Sequence, residues 1–338
     1  MSARAFICGC SGRAFTAEEE AFIREASPWG LILFKRNVED RVQLKALTAR
    51  FRDLSGRADA PVLIDQEGGR VQRMSSPHWQ VYPAAARLSA VEQDPARQSR
   101  LAYTAARLIA HDLREVGVNV DCAPVLDVPA EGSHAIVGDR AFGTDIETVA
   151  RLGRATAEGL MAGGVLPVMK HIPGHGRARA DSHLELPVVD APRGALERVD
   201  FAPFKANADL PAAMTAHVVF AAIDPDRPAT LSPTVIGEVV RGALGFDGLL
   251  MSDDLSMKAL SGSFRERTSA LFAAGVDIAL HCNGDLAEAR EVAAVAPRLA
   301  GRALNRVEKA LARIADGERP FDPVEARAKL ESGLAAVA

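Results

Sequence analysis

The sequence predicts an α/β protein, a single (β/α)8-type TIM barrel over residues 1–338, irregular in places, with C-terminal helices covering it. Three observations point there. Short apolar runs alternate with helix-periodic stretches along the whole chain, as a parallel sheet covered on its faces requires. Eight such runs can be counted, which suits a closed barrel better than an open doubly wound sheet. Several of them end on a polar residue, and three of those ends are followed by long loops, the arrangement in which barrel enzymes build their sites.

The strand-like runs are 5–10, 30–34, 61–65, 118–121, 165–170, 212–217, 248–253 and 276–281. Thr16 with Glu19 has the spacing of a capping box and starts the first helix. Leu44, Leu47, Phe51 and Leu54 then recur at helical intervals, and Gly56 stands where a C-cap falls. Leu101, Leu108, Ile109, Leu113 and Val116 repeat the pattern up to Gly117. The final stretch, roughly 40 residues, reads as helices that cover the barrel.

Composition narrows the function classes. Hydrophobic residues make up 48% of the chain and charged residues 25%, ordinary for a protein with a large core. A net charge of -4 without a basic run argues against nucleic acid and anionic membranes as partners. Cys8, Cys10, Cys122 and Cys282 form no C-x-x-C pair, so neither a disulfide framework nor a cysteine zinc site is expected. The start at Met1 enters an apolar strand without a signal-peptide h-region. No apolar segment reaches the length of a membrane span. A cytoplasmic monomer that needs no cofactor or metal is expected.

The polar strand ends are Asp65, Asp121, Lys170, His217 and Asp253. Such residues can cap a barrel or line a site. Asp65 opens Asp65-Gln66-Glu67-Gly68-Gly69-Arg70-Val71-Gln72-Arg73, in which two glycines allow a tight turn. The carboxylate can accept from neighbouring hydroxyls of a sugar while Arg70 and Arg73 donate. Lys170-His171-Ile172-Pro173-Gly174-His175-Gly176 leaves the fifth strand. His171 and His175 stand four apart, but Pro173 and the glycines oppose the helix a zinc pair would use. Lys170 at a strand end is also compatible with a Schiff-base aldolase. Further along this loop, Asp181-Ser182-His183 can form a dyad in which the carboxylate holds the imidazole ready for proton transfer. With Gly174, Gly176 and Ala178 as its only neighbours of note, the loop is expected to have few apolar anchors and to close over substrate. Residues 245–257 deliver Asp253 and Asp254 to the barrel mouth. Strand alternation lets one of them face the axis; Asp253 is the candidate, and Asp254 can cap the helix that follows or bond local backbone. His217 is open between a lining and a structural role.

These four segments, with Ala123–Val128 and Gly138-Asp139-Arg140 between them, resemble the signatures of bacterial β-N-acetylhexosaminidases of glycoside hydrolase family 3, closest to its cytoplasmic peptidoglycan-recycling branch. The resemblance implies Asp253 as nucleophile and His183 as general acid/base with Asp181 as its partner. It implies Asp65, Arg73, Arg140, Lys170 and His171 as the residues that bind N-acetylglucosamine. The implied reaction is the retaining removal of terminal N-acetylglucosamine from muropeptides, N-acetylglucosaminyl-1,6-anhydro-N-acetylmuramic acid with or without peptide. An imidazole in place of the second carboxylate repels no anion, so phosphorolysis by the same residues is an alternative. A non-catalytic sugar-binding regulator is a further one.

Overall fold

The computed structural model describes residues 3–91, 94–182, 184–315 and 317–335. Its central sheet has nine parallel strands: β1 (Arg4–Cys8), β2 (Pro28–Leu33), β3 (Val62–Ile64), β4 (Val120–Asp121), β5 (Leu166–Pro167), β6 (Met169–Ile172), β7 (Ala212–Thr215), β8 (Leu249–Asp254) and β9 (Ile278–His281). They lie in the order β5-β4-β3-β2-β1-β9-β8-β7-β6. The two ends of that list are consecutive in the chain, separated by Val168 alone. The single fifth strand expected over 165–170 is therefore two short ones. Its first half pairs with β4 and its second with β7, so the segment changes neighbours and draws the sheet into a nearly closed barrel. Backbone bonds from Val168 N to Asp121 O and from Lys170 N to Pro124 O carry the seam between them.

Strand alternation splits the core into two layers. Ile7, Leu63, Val120, Leu166, Val168, Met251 and Ile278 point into the barrel. Phe6, Leu31, Val62, Ile64, Met169, Ala213 and Leu250 point outward against the helices. Those helices include α1 (Ala17–Ala26), α2 (Arg41–Ser55), α3 (Pro95–Glu115), α4 (Ile146–Ala162), α5 (Phe264–Ala274), α6 (Leu286–Val295), α7 (Gly301–Ala312) and α8 (Pro323–Ala335). The caps read from sequence are present. Thr16 Oγ1 accepts from Glu19 N at 3.2 Å and the Glu19 carboxylate accepts from Thr16 N at 2.7 Å. Gly56 closes α2 at φ 66°. The terminal helices divide their labour: Leu299, just before α7, and Val307 and Ala310 within it join the barrel-interior cluster and plug its base, whereas Leu330 of α8 packs in the outer layer.

α3 and α4 pack closely because Gly159 offers no side chain at their crossing. A Cβ there would lie 2.5 Å from the Tyr103 carbonyl oxygen and 2.9 Å from the Ala106 Cβ. Glycine to alanine inside a helix ordinarily stabilises by up to about 1 kcal/mol. Here the contact is with backbone, so overpacking outweighs propensity. Gly159→Ala is expected to lower unfolding stability by about 1–3 kcal/mol in urea titration; a gain in stability would refute this packing account.

Candidate active site

A pocket of about 330 Å³ opens at the C-terminal mouth of the barrel, at the small end of the usual range of ligand clefts (~300–1,000 Å³). Its lining includes Asp65, Arg73, Arg140, Lys170, His171 and Asp253. Six of the eight residues singled out in sequence thus converge from loops and strands far apart in the chain. Interior strand residues Ile32, Met214 and Leu280, with Cys282 just past the last strand, contribute apolar wall.

The charged side of the pocket is one connected cluster. Asp65 follows β3, and a short hairpin of Gln66–Gly68 against Val71–Gln72 turns the chain back beside it. Gln66 is buried and ties that turn together: its Oε1 accepts from Arg73 N at 2.9 Å and Met74 N at 3.0 Å, and its Nε2 donates to Met74 O at 2.8 Å. Arg73 is so returned to Asp65, with 2.9 Å between its guanidinium and Oδ2. The Phe34 ring lies 5.2 Å from the same guanidinium, in cation–π range. Lys170 Nζ stands 2.8 Å from Asp65 Oδ1 and 2.6 Å from Glu67 Oε1. Arg140 grips Glu67 with two bonds of 2.8 Å.

Burial alone would neutralise these groups, raising the carboxylates and lowering the ammonium. Mutual pairing wins. Lys170 and Arg73 hold Asp65 well below the usual carboxylate range, and Lys170 and Arg140 hold Glu67 down at about 2. Asp65 and Glu67 in turn push Lys170 above its ordinary value despite complete burial. Sequence reading gave Glu67 no role. Its signal was the period of two, which sets Glu67 on the same face as Asp65.

His171 is oriented by Asp127, another residue without an assigned role. Its Nδ1 lies 2.7 Å from Asp127 Oδ2, so a neutral ring carries its proton there and turns Nε2 elsewhere. Burial would raise the Asp127 carboxyl, but His171 outweighs it and the pKa is lowered. The other Asp127 oxygen accepts from His175 N at 2.6 Å. No cluster of three or more metal-binding side chains exists among the described residues.

At the end of β8, Asp253 Oδ1 accepts from Asp254 N at 2.8 Å. Asp254 also borders the pocket, but its carboxylate is engaged by Ser256 N, Ser256 Oγ and Cys282 N. His217 does not border the pocket. It is fully buried, bonded to Thr230 Oγ1 at 2.8 Å and to the Asp254 carbonyl at 3.0 Å, and supports β8 from behind. Asp121 is likewise interior. Asp181 begins a turn in which its carbonyl accepts from Leu184 N at 2.8 Å and Glu185 N at 3.0 Å. Ser182 beside it borders the pocket, while His183 lies outside the described residues. The expectation of a loosely held loop fails for its first half. A Cβ on Gly176 would fall 2.0 Å from the Val128 carbonyl oxygen, Ala178 is buried, and His134 N donates to Ala178 O at 2.8 Å. Small residues here allow backbone to pack on backbone.

A parallel barrel whose mouth holds a paired-ion cluster rich in hydrogen-bonding groups, together with a further carboxylate, defines the class as a barrel protein with a polar pocket at its C-terminal face. Comparison with known proteins makes this specific. Residues 6–316 match the family profile described as "Glycosyl hydrolase family 3 N terminal domain". A β-hexosaminidase of Alkalilimnicola ehrlichii is 42% identical over 280 residues, 81% of this chain and 79% of that protein. One from Pseudomonas aeruginosa is 39% identical over 85% of each chain. Among solved structures, NagZ of Neisseria gonorrhoeae in complex with N-trifluoroacetyl-D-glucosamine superposes with a TM-score of 0.86 at 30% identity, covering 100% of this chain and 99% of its own. A family 3 β-N-acetylglucosaminidase of Paenibacillus gives 0.85 at 31% identity; this chain covers 66% of that longer one. The chain belongs to glycosyl hydrolase family 3, and it is a glycosidase of the β-hexosaminidase type.

Asp121 gives this site a pH signature. Its Oδ1 accepts from Gln66 N at 3.0 Å, and its Oδ2 meets no partner among the described residues. Burial, reinforced by Asp65 and Glu67, pushes the carboxyl up to about 7. A folded value above the unfolded one means the fold favours the protonated acid. That contribution is complete below the unfolded value of about 3.9 and is lost as pH rises through 7. Asp121→Asn keeps the acceptor and removes the charge. It is expected to raise Tm more at about pH 8.5 than at about pH 4.5; equal shifts in calorimetry at both would contradict the assignment.

Proposed function

We propose that this protein is a retaining exo-β-N-acetylglucosaminidase that removes terminal N-acetylglucosamine from muropeptides through a covalent glycosyl-aspartate. The observation that carries the reading is the pocket that Asp253 shares with Asp65, Lys170 and Arg140, the last two joined through Glu67. Asp65, Arg73, Arg140, Lys170 and His171 bind the sugar. Its hydroxyls and amide are neutral, so recognition rests on directed hydrogen bonds from groups already fixed by their ion pairs.

In the first step a carboxylate oxygen of Asp253 attacks C1, the bond to the leaving oxygen breaks, and His183 delivers a proton to that oxygen. Asp181 partners the imidazole. In the second, His183 takes a proton from water, the water oxygen attacks C1, and the bond to Asp253 breaks. The double inversion retains the β configuration. The aldolase alternative is disfavoured by chemistry: a Schiff base needs a neutral amine, and two carboxylates keep Lys170 protonated. A cytoplasmic location is part of the proposal; the four free, buried cysteines suit a reducing compartment. No helix among the described residues is long and apolar enough to cross a membrane.

Asp253→Asn preserves shape and removes the attacking charge. Turnover of a chromogenic N-acetyl-β-D-glucosaminide should fall by at least about 10³-fold, with affinity for N-acetylglucosamine within about threefold in calorimetry. A 2-fluoro sugar should label the peptide containing Asp253. Labelling elsewhere, or full activity of the variant, would remove the nucleophile assignment. With phosphate present, N-acetylglucosamine as the main product supports hydrolysis, and its 1-phosphate would favour phosphorolysis.

A further inference from the structure

His175 was singled out in sequence as one of two histidines four residues apart, and the reaction above does not use it. It is 3% exposed. Its backbone N is clamped to Asp127, and its ring lies 5.6 Å from that of His171 at 60°. Its Nε2 stands 3.1 Å from Ser182 Oγ, whereas its buried Nδ1 has no partner among the described residues. Burial, followed by the nearby His171, lowers its pKa to about 4, so the ring is neutral and carries one proton. On Nδ1 that proton would be a buried donor without an acceptor, which folded proteins seldom tolerate. On Nε2 it donates to the Ser182 oxygen.

Ser182 is itself buried, borders the pocket, and is held a second time where its carbonyl accepts from Ala259 N at 3.3 Å, just beyond the β8 mouth. It is the residue between Asp181 and His183. We infer that His175 is a positioning residue which, through the Nε2–H to Ser182 Oγ bond, fixes Ser182 at the pocket edge and so anchors the chain between Asp181 and the proposed acid/base that follows. This rests on the proposed acid/base role of His183. His175 also borders the pocket, but its inferred role is to set where the proton-carrying group stands, from a base that Asp127 makes rigid.

The test uses leaving-group dependence, which a purely structural role would not move. A 2,4-dinitrophenyl N-acetylglucosaminide departs without protonation, and a phenyl one needs it. Ser182→Ala and His175→Leu are each expected to lower kcat/KM for the phenyl substrate by about 10–100-fold and for the dinitrophenyl substrate, in its glycosylation step, by less than about threefold. His175→Gln, which can place a donor near the Nε2 position, should recover much of the loss. The double variant should be no worse than the worse single one, because both remove the same bond. His183→Ala serves as the reference and should show the same selectivity more strongly. Equal losses on both substrates, or additive effects in the double variant, would overturn the inference while leaving the function intact. Absence of selectivity in His183→Ala would overturn the acid/base role and the inference with it. Should His175→Leu fail to fold, Ser182→Ala alone decides between these outcomes.

Discussion

The site depends on keeping one ammonium charged inside the barrel. Lys170 Nζ is withdrawn from water and survives as a cation because Asp65 and Glu67 approach it from one side. Each carboxylate then needs a second cation, which Arg73 and Arg140 supply. The result is an alternating chain of charges joining β3, β6 and the loop ending at Arg140. A buried pair of this kind contributes little net stability, because desolvation consumes most of the Coulombic gain. Removing one partner leaves an uncompensated charge and costs about 3–5 kcal/mol. The cluster is therefore a constraint more than a glue: its members are required together, in one geometry, and the pocket wall inherits that rigidity.

The barrel seam explains why Lys170 can take part at all. The fifth strand changes neighbours around Val168, and β6 begins at Met169 on its new partner. Lys170 and His171 are successive residues, yet both border the pocket. The register against β7 also shifts by one between Met214 and Thr215. An ideal strand would send one of the two side chains away from the mouth. Local irregularity thus places both groups on one wall.

Much of this was legible from residue order. Apolar runs and caps located most strands and several helices, and polar strand ends predicted where a pocket would open. The same rule misplaced Asp121 and could not decide His217, which proves structural. A side chain at a strand's end faces the mouth or the interior according to how far neighbouring strands extend, and that stagger is a tertiary property. His217 pairs with Thr230 and the Asp254 carbonyl, while Asp121 accepts from Gln66 N, all contacts invisible along one strand. Asp127 was hidden for a related reason: it serves His171 across 44 residues. Glu67 alone carried a local clue, two positions after Asp65.

Charge matching also bears on what the proposed nucleophile can do. Lys170, Arg73 and Arg140 are committed to Asp65 and Glu67, so these cations are neutralised within their own cluster. Asp254, next to Asp253, is satisfied by two backbone amides and a hydroxyl. The Asp254 amide in turn engages only Asp253 Oδ1 among the bonds described. That backbone N–H gives the Asp253 carboxylate a fixed point of attachment at the end of β8. Behind it, the buried neutral His217 holds the Asp254 carbonyl and adds no compensating charge. Two separate sets of contacts therefore shape the pocket: backbone amides orient the carboxylates at the end of β8, and ion pairs fix the charged wall built on Lys170.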